Sequence, residues 1–420
     1  MCGVKRCFYP ALSLYNEDCV DVTNTKNSQW CYRTNRVNKM FSCAFSFESR
    51  DCINSRFLFD CRNCENCFGA TNKRNAKYIF FNQQLSKEEY QERLLKIDLS
   101  SQKVLEENQT KFQSLMEMAV WPENFNVGSS ESTGEYIEES TRCRNGYWQG
   151  KSTDMFWCWI SEEQHDSAFS TYAGWGSDAY YTCDVVGGSQ LRFCFRCWRC
   201  INMEYCLDCY DCENCFGCVG LRKNSFCIFN KQYSEDEYWK KVDELKCAML
   251  DCGEYGEYFP ATFSENGLEY SMGEAFFGYS NEELVQFQAV LFDPKRGDVN
   301  SSSEATTELL LLDVNTIPDC LVEINEEIFV GKPILDLILS RPFSVTRGEM
   351  AFYRKQNYPF PREHFLRRLK ALIRTSNSPE PENRLCANCS REIISYRNSS
   401  FVVRRVFCKN CYLKFLEENN

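Results

Sequence analysis

The sequence predicts an α+β fold, an irregular Cys-rich β-solenoid built from a duplicated unit, with helical inserts and a small C-terminal module. Three observations lead to this prediction. The stretch "CENCFG" occurs twice, most cysteines fall on a three-residue grid, and two Cys-x2-Cys pairs lie near the C-terminus. With 420 residues, 28 of them cysteine, the chain is long enough for several domains and uses cysteine repeatedly.

The duplication extends over whole structural units. Residues 61–90 and 209–238 align without a gap and are identical at 14 positions. Each copy places a short apolar strand after the cysteines and then a Ser-x-x-Glu capping box that starts a helix. The boxes are Ser86 with Glu89 and Ser234 with Glu237. We expect the first helix to break near Ser100.

Comparison of the two copies indicates what most of these cysteines do. Those of the second copy that have no counterpart align with apolar residues: Cys206 with Leu58, Cys218 with Ala70 and Cys227 with Ile79. A metal ligand would lose its site in such an exchange, whereas a free cysteine behaves as a small buried hydrophobe. We therefore expect these side chains to fill a core.

The three-residue spacing predicts the shape of that core. A strand turns every second residue inward and a helix every 3.6 residues, so a period of three fits neither. It fits a tight coil of short rungs with a small inward side chain between corners. Asparagine and glycine suit the corners; the candidates are Asn54, Asn63, Asn66, Asn202, Gly187 and Gly188.

Other uses of the repeat cysteines stay open. Eight cysteines that match between the copies form a second tier of candidate metal ligands: Cys52, Cys61, Cys64, Cys67, Cys200, Cys209, Cys212 and Cys215. They would hold zinc, or an iron–sulfur cluster in a metal or redox protein, although the spacing departs from the ferredoxin pattern. The even cysteine count also leaves a disulfide framework open.

The C-terminal cysteines give the most specific motif. Cys386-Ala-Asn-Cys389 precedes Cys408-Lys-Asn-Cys411, and the intervening residues alternate like two strands of a hairpin joined at 397–400. Two such knuckles place four thiolates around one ion, with the second knuckle opening a helix. The pattern predicts a treble-clef or zinc-ribbon module with about one structural zinc ion.

Charge is distributed unevenly along the chain. Residues 341–420 hold 16 Lys and Arg against 7 Asp and Glu, whereas the whole chain has a net charge of −11. The basic module would suit RNA, a ribonucleoprotein or an acidic protein face. The candidate contact residues are Arg354, Lys355, Arg362, Arg367 and Arg368. The alternative is a basic surface that only contacts solvent.

Several classes of protein are disfavoured. His165 and His364 are the only histidines, which disfavours a catalytic triad or a His-rich metal site, so we expect no enzyme. No apolar run approaches the roughly 20 residues of a membrane span, and the N-terminus lacks the apolar core of a signal peptide. We expect a soluble, cytoplasmic protein with reduced thiols.

Four segments in order carry a resemblance: "DCENCFGCVGLRKNSFCIFNKQYSEDEY", "GEYGEYFPATFS", "RPFSVTRGEMAFYRKQNYPFPREHF" and "CANC…CKNCYLKFL". Together they resemble a group of cysteine-rich proteins with a C-terminal zinc ribbon, common in small-genome bacteria of the candidate phyla radiation. The resemblance covers nearly the whole chain and implies no specific activity. It would imply a second zinc ribbon before Cys386, but residues 321–385 contain no cysteine.

These observations predict five segments. They are the first Cys-rich solenoid copy (1–85), a helical insert (86–120), the second copy (121–230), a helical and acidic connecting region (231–340) and the basic zinc-binding module (341–420). The function expected of this arrangement is that of a non-enzymatic zinc-binding scaffold or binding protein.

Overall fold

Two stacks of parallel strands dominate the computed structural model, which describes residues 3–264, 267–268, 271–291 and 311–420. The first, the N-terminal stack, consists of β1 (Phe8–Ala11), β2 (Val20–Lys26), β3 (Tyr32–Asn38), β4 (Ala44–Phe47), β5 (Arg56–Phe59), β6 (Phe68–Thr71), β7 (Ile79–Phe80) and β8 (Gln83–Gln84). The strands follow one another in sequence order, and all neighbours are parallel except β7 and β8.

Each turn of the N-terminal stack takes twelve residues. Phe8 pairs with Val20, Val20 with Tyr32, and Tyr32 with Ala44. The coil is tight because the backbone bends at short, regular intervals. From Arg6 onward, a positive φ recurs at every third residue through the strands and the bends between them.

The expected asparagine corners of this stack have the left-handed backbone that the period requires. Asn54, Asn63 and Asn66 have φ values of 48°, 51° and 53°. Left-handed backbone at non-glycine residues costs about 1–2 kcal/mol each, so it needs compensation. Hydrogen bonds between successive turns provide it, as where Trp30 N donates to Glu17 O at 3.1 Å.

The interior of this stack is narrow and is filled by small side chains at every third position. The interior cysteines from Cys19 to Cys67 are almost fully buried, together with Val22, Leu58 and Ala70. Serine takes the same position elsewhere, because its hydroxyl accepts from the backbone one turn later, as Ser28 Oγ does from Met40 N at 3.1 Å. The same interior position therefore accepts cysteine, serine or a small apolar residue.

The second, or central, stack repeats this geometry. It consists of β10 (Gly134–Glu138), β11 (Gly146–Gly150), β12 (Thr153–Phe156), β13 (Trp159–Val186), β14 (Ser189–Phe195), β15 (Ile201–Glu204), β16 (Glu213–Phe216), β17 (Ser225–Ile228) and β18 (Lys231–Gln232). From Gly134 with Gly146 onward, the parallel partners are again twelve residues apart. Of the corners expected here, Asn202 and Gly187 have positive φ, whereas Gly188 does not.

All 27 described cysteines of the chain are free thiols.

Helices follow both repeat units, as the capping boxes predict. They are α1 (Lys87–Leu95), α2 (Gln102–Met118) and, after the central stack, α3 (Glu235–Asp251). Ser86 and Ser234 are the N-cap residues, and the chain breaks between α1 and α2 at the expected place near Ser100. Phe112 of α2 packs on Phe57, so this helix covers a face of the N-terminal stack.

The rest of the chain contains short elements. They are β9 (Val120–Pro122), α4 (Met272–Phe277), α5 (Asn281–Gln286), β19 (Leu312–Asp313), α6 (Glu326–Phe329), β20 (Ile334–Asp336), β21 (Arg341–Phe343), α7 (Arg347–Gln356), α8 (Phe365–Ile373), β22 (Pro381–Leu385), β23 (Glu392–Tyr396), β24 (Arg405–Phe407) and α9 (Lys409–Asn419).

The predicted hairpin between the two cysteine pairs is wrong in its pairing. Strand β23 pairs with β22, which precedes the first cysteine pair, and β24 pairs in parallel with β9. Trp121 of β9 is fully buried against Phe59 and Phe401, so this pairing buries a large aromatic side chain beside the N-terminal stack.

Residues 376–378, in a stretch whose composition is typical of a linker, are buried between the two stacks. Asn377 Nδ2 donates to Glu135 Oε1 at 2.9 Å, and its carbonyl accepts from Tyr147 Oη at 2.9 Å. On the other side, Asn35 Nδ2 donates to Ser376 Oγ at 2.7 Å. This segment therefore holds both stacks by specific hydrogen bonds.

Candidate metal centre

Four cysteine thiols converge at the C-terminal end of the chain. Cys386 and Cys389 lie in the turn between β22 and β23, where Ser390 adopts a positive φ of 59°. Cys408 directly follows β24 as the N-cap of α9, and Cys411 lies in the first turn of that helix. The second pair thus opens a helix, as its position in the sequence predicts.

The spacing of the four sulfur atoms suits a tetrahedral ion. All four Sγ atoms lie within 4.8 Å of one another, and Cys389 Sγ is 3.8 Å from Cys408 Sγ. Zinc–thiolate bonds of about 2.3 Å give a tetrahedron with sulfur–sulfur edges of about 3.8 Å. The group could therefore hold a metal ion with small adjustments of its side chains.

Backbone donors favour the thiolate form of Cys386. Burial raises the pKa of the Cys386 thiol, but backbone N–H groups of Cys408, Cys389 and Asn388 outweigh burial and lower that pKa to about 6. One of these donors is visible as a hydrogen bond from Cys408 N to Cys386 Sγ at 3.3 Å. A thiolate is the form that ligates metal. Burial and the neighbouring thiols raise the pKa of Cys408 to about 12, so binding of an ion would release the proton of that thiol.

The metal centre is attached to the N-terminal stack through α9. The Tyr412 hydroxyl donates to the Asp60 carboxylate and accepts from Arg74 Nη2, the latter at 2.9 Å. At the end of the helix, Asn420 Oδ1 accepts from Arg74 N at 2.8 Å. Sequence reasoning missed these anchors, and the only signal was the position of Tyr412 next to Cys411.

The eight second-tier candidate cysteines lie inside the two stacks, away from the C-terminal group. Cys52, Cys61, Cys64, Cys67, Cys200, Cys209, Cys212 and Cys215 are all buried in the stack interiors. Within the described ranges, the C-terminal group is the one set of three or more potential ligands close enough for a shared ion. The structure does not bring the second-tier cysteines together in such a group.

Interior thiols donate hydrogen bonds to the backbone. Cys200 Sγ, for example, lies 3.3 Å from Trp198 O and 3.4 Å from Cys209 O, and its single hydrogen is shared between these two acceptors. Burial raises the pKa of Cys43 and of Cys200 to about 12. Neutral thiols are weak nucleophiles and weak ligands, and Cys43 and Cys200 are packed in the stack interiors.

Arg368, one of the five candidate partner-binding residues, is buried and paired inside the protein. Its side chain is 2% exposed, and its Nε lies 3.0 Å from Asp21 Oδ2. Its Nη2 lies 3.5 Å from Glu349 Oε1. The prediction that Arg368 contacts an external partner is therefore wrong, because Asp21 of the N-terminal stack and Glu349 of α7 enclose its guanidinium group.

The other four candidates also have internal partners. Arg367 binds Asp336 at 2.9 Å, and Lys355 Nζ lies 3.4 Å from the ring centroid of Trp30. Arg354 donates to the Glu326 carboxylate and to the Leu321 carbonyl. Arg362 donates to the Ile317 carbonyl. These contacts fasten residues 347–374 to their surroundings.

The two histidines do not form a site. His364 is buried and caps α8, with its Nδ1 accepting from Leu366 N at 3.2 Å. His165 is exposed on the central stack. Neither belongs to the group of potential ligands that converges in the described residues.

Comparison with known proteins adds little. No family model and no curated protein matches the chain. Among solved structures, the chain is similar to a "putative acetyltransferase" from Desulfovibrio desulfuricans, with 12% identity over 59% of this chain and 69% of that one. The TM-score of 0.09 is too low for any argument about fold or activity. Among the described residues, no helix has the length and apolar character needed to cross a membrane.

Proposed function

We propose that the chain is a non-enzymatic scaffold or binding protein in which one structural zinc ion organises a treble-clef module beside two β-solenoids. The observation that carries the proposal is the group of four cysteine thiols within 4.8 Å of one another. The twelve-residue parallel register supports the solenoid description, and the position of Cys408 at the start of α9 supports the treble clef.

A structural role follows from the surroundings of the ion site. All four ligands are cysteines, which is typical of closed zinc sites that fix a fold and keep no position open for substrate. The second ligand pair also lies at the start of the helix whose Tyr412 contacts Asp60 of the N-terminal stack. Metal binding would therefore stabilise the contact between module and stack.

The predicted contact with RNA, a ribonucleoprotein or an acidic protein remains a prediction for residues 341–420. Of the five basic residues named from the sequence, Arg354 and Lys355 are exposed and stay candidates for this contact, whereas Arg368 is buried.

Elemental analysis of anaerobically purified protein tests the zinc proposal. We expect about one zinc per chain, lost in Cys389→Ser together with a lower melting temperature. Cys252→Ser is the matched control, because Cys252 is also exposed but lies outside the group, and it should keep its zinc. Several metal ions per chain, or a brown chromophore, would contradict the proposal and favour metal in the repeats.

A further inference from the structure

A cavity of about 320 Å³ lies between the two stacks. Two ion pairs join the stacks along it, Lys26 with Glu162 at 3.5 Å and Arg50 with Glu138. Lys26 precedes Arg50 in the chain, whereas its partner Glu162 follows Glu138. The facing turns of the two stacks therefore run in opposite order.

Two glycines, Gly150 and Gly174, line the cavity beside these ion pairs. Asn38 lies one turn from both Lys26 and Arg50, and Gly150 lies one turn from both Glu138 and Glu162, so both fall midway between the pairs. A Cβ at Gly150 would collide with the Glu162 carboxylate, so this glycine makes room for Glu162. At Gly174, a Cβ would meet only a backbone oxygen at 3.4 Å, so Gly174 borders free space.

Aromatic side chains form a large part of the walls. Trp148, Tyr172 and Trp175 line the cavity, and Trp175 is 60% exposed. Arg36 is held against this wall, with its guanidinium carbon 3.7 Å from the ring centroid of Tyr136 and 4.5 Å from that of Trp148. The walls thus offer flat apolar faces beside polar groups.

Several polar atoms of the lining have no hydrogen-bond partner among the residues that the structure describes. They include Asn24 Oδ1, Asn38 Oδ1, the Tyr172 hydroxyl and Arg36 Nε. Asn24 is 7% exposed, and its Nδ2 already donates to Asn35 Oδ1 at 2.9 Å, so its oxygen is the atom left to accept. Buried polar atoms normally have partners. These atoms are covered by their neighbours, and a rotation of the lining side chains would bring them to a bound molecule.

We propose that this cavity binds a neutral hydroxylated ring, namely a monosaccharide or one unit of a glycan. A hydroxyl group both donates, as the asparagine oxygens require, and accepts, as Arg36 Nε requires. The lysine, arginine and glutamate side chains that bridge the cavity pair with one another, which favours an uncharged ligand. The volume lies at the small end of the range for ligand sites.

Isothermal titration calorimetry with glucose, galactose, mannose and N-acetylglucosamine tests the proposal, with adenosine as a flat ligand of a different class. We expect saturable binding of at least one sugar with one site per chain. Trp175→Ala should weaken this binding by about tenfold or more, since it removes an aromatic wall. Trp157→Ala is the matched control, because Trp157 is also exposed and also has positive φ, but lies outside the cavity.

A second variant guards against a folding defect in the first. Gly174→Leu fills the cavity from a position without positive φ, and it should abolish sugar binding while the melting temperature stays close to that of the parent chain. Absence of saturable binding by all four sugars would overturn the proposal. Binding of adenosine alone, or sugar binding unchanged in both cavity variants, would overturn it as well.

Discussion

Replacing Arg368 by methionine should destabilise the protein strongly. The substitution keeps the aliphatic bulk of the side chain but removes the cation that faces Asp21 and Glu349, both of which have fully buried side chains. Arg33 would remain 3.8 Å from Asp21. Breaking a buried ion pair by removing one partner costs about 3–5 kcal/mol, because a buried charge is left without compensation.

Urea unfolding measures this loss directly. Arg397→Met is the control, since Arg397 forms an ion pair with Glu380 at 3.1 Å but its side chain is 60% exposed. An exposed pair contributes about 0–1 kcal/mol, so the control should unfold almost as the parent does. Adding Asp21→Asn to Arg368→Met should recover part of the stability. Equal, small losses in the two single variants would refute the assignment of Arg368 to the interior.

Three further predictions concern stability. Burial raises the pKa of Glu48 to about 7 and of Glu135 to about 8, whereas an unfolded glutamate titrates near about 4.3. The folded chain therefore holds more protons than the unfolded chain in this range. The free energy of unfolding should fall as the pH rises from about 5 to about 8, and it should fall less steeply in Glu48→Gln. Cys200→Phe should overpack the central stack and cost about 1–3 kcal/mol by urea unfolding, more than Cys200→Ser. Tyr412→Phe should cost about 1–3 kcal/mol, since Asp60 loses a buried donor, and an unchanged unfolding midpoint would contradict that contact.

The local features of this fold were accessible from the sequence. The three-residue cysteine grid corresponds to inward side chains, and the corner asparagines, such as Asn54 and Asn63, have positive φ. The capping boxes mark the starts of α1 and α3, and the C-terminal knuckles mark the four thiols that converge. Each signal arises within a few residues, where spacing and backbone preference determine the structure.

The features that sequence reasoning missed depend on distant contacts. Strand β24 pairs with β9, which lies far earlier in the chain, and no local pattern selects that partner over β23. Arg368 and Arg367 lie on a basic helix typical of an exposed surface, yet Asp21 and Asp336 meet them there. The cavity likewise depends on how the two stacks lie against each other, and neither repeat carries a local signal for that arrangement.

Zinc K-edge X-ray absorption of the purified protein is the most direct test of the proposed metal centre. The four convergent thiols predict a first shell of sulfur alone, with four ligands at about 2.3 Å and no second metal nearby. A first shell containing nitrogen or oxygen, or a metal–metal distance typical of a cluster, would contradict the account.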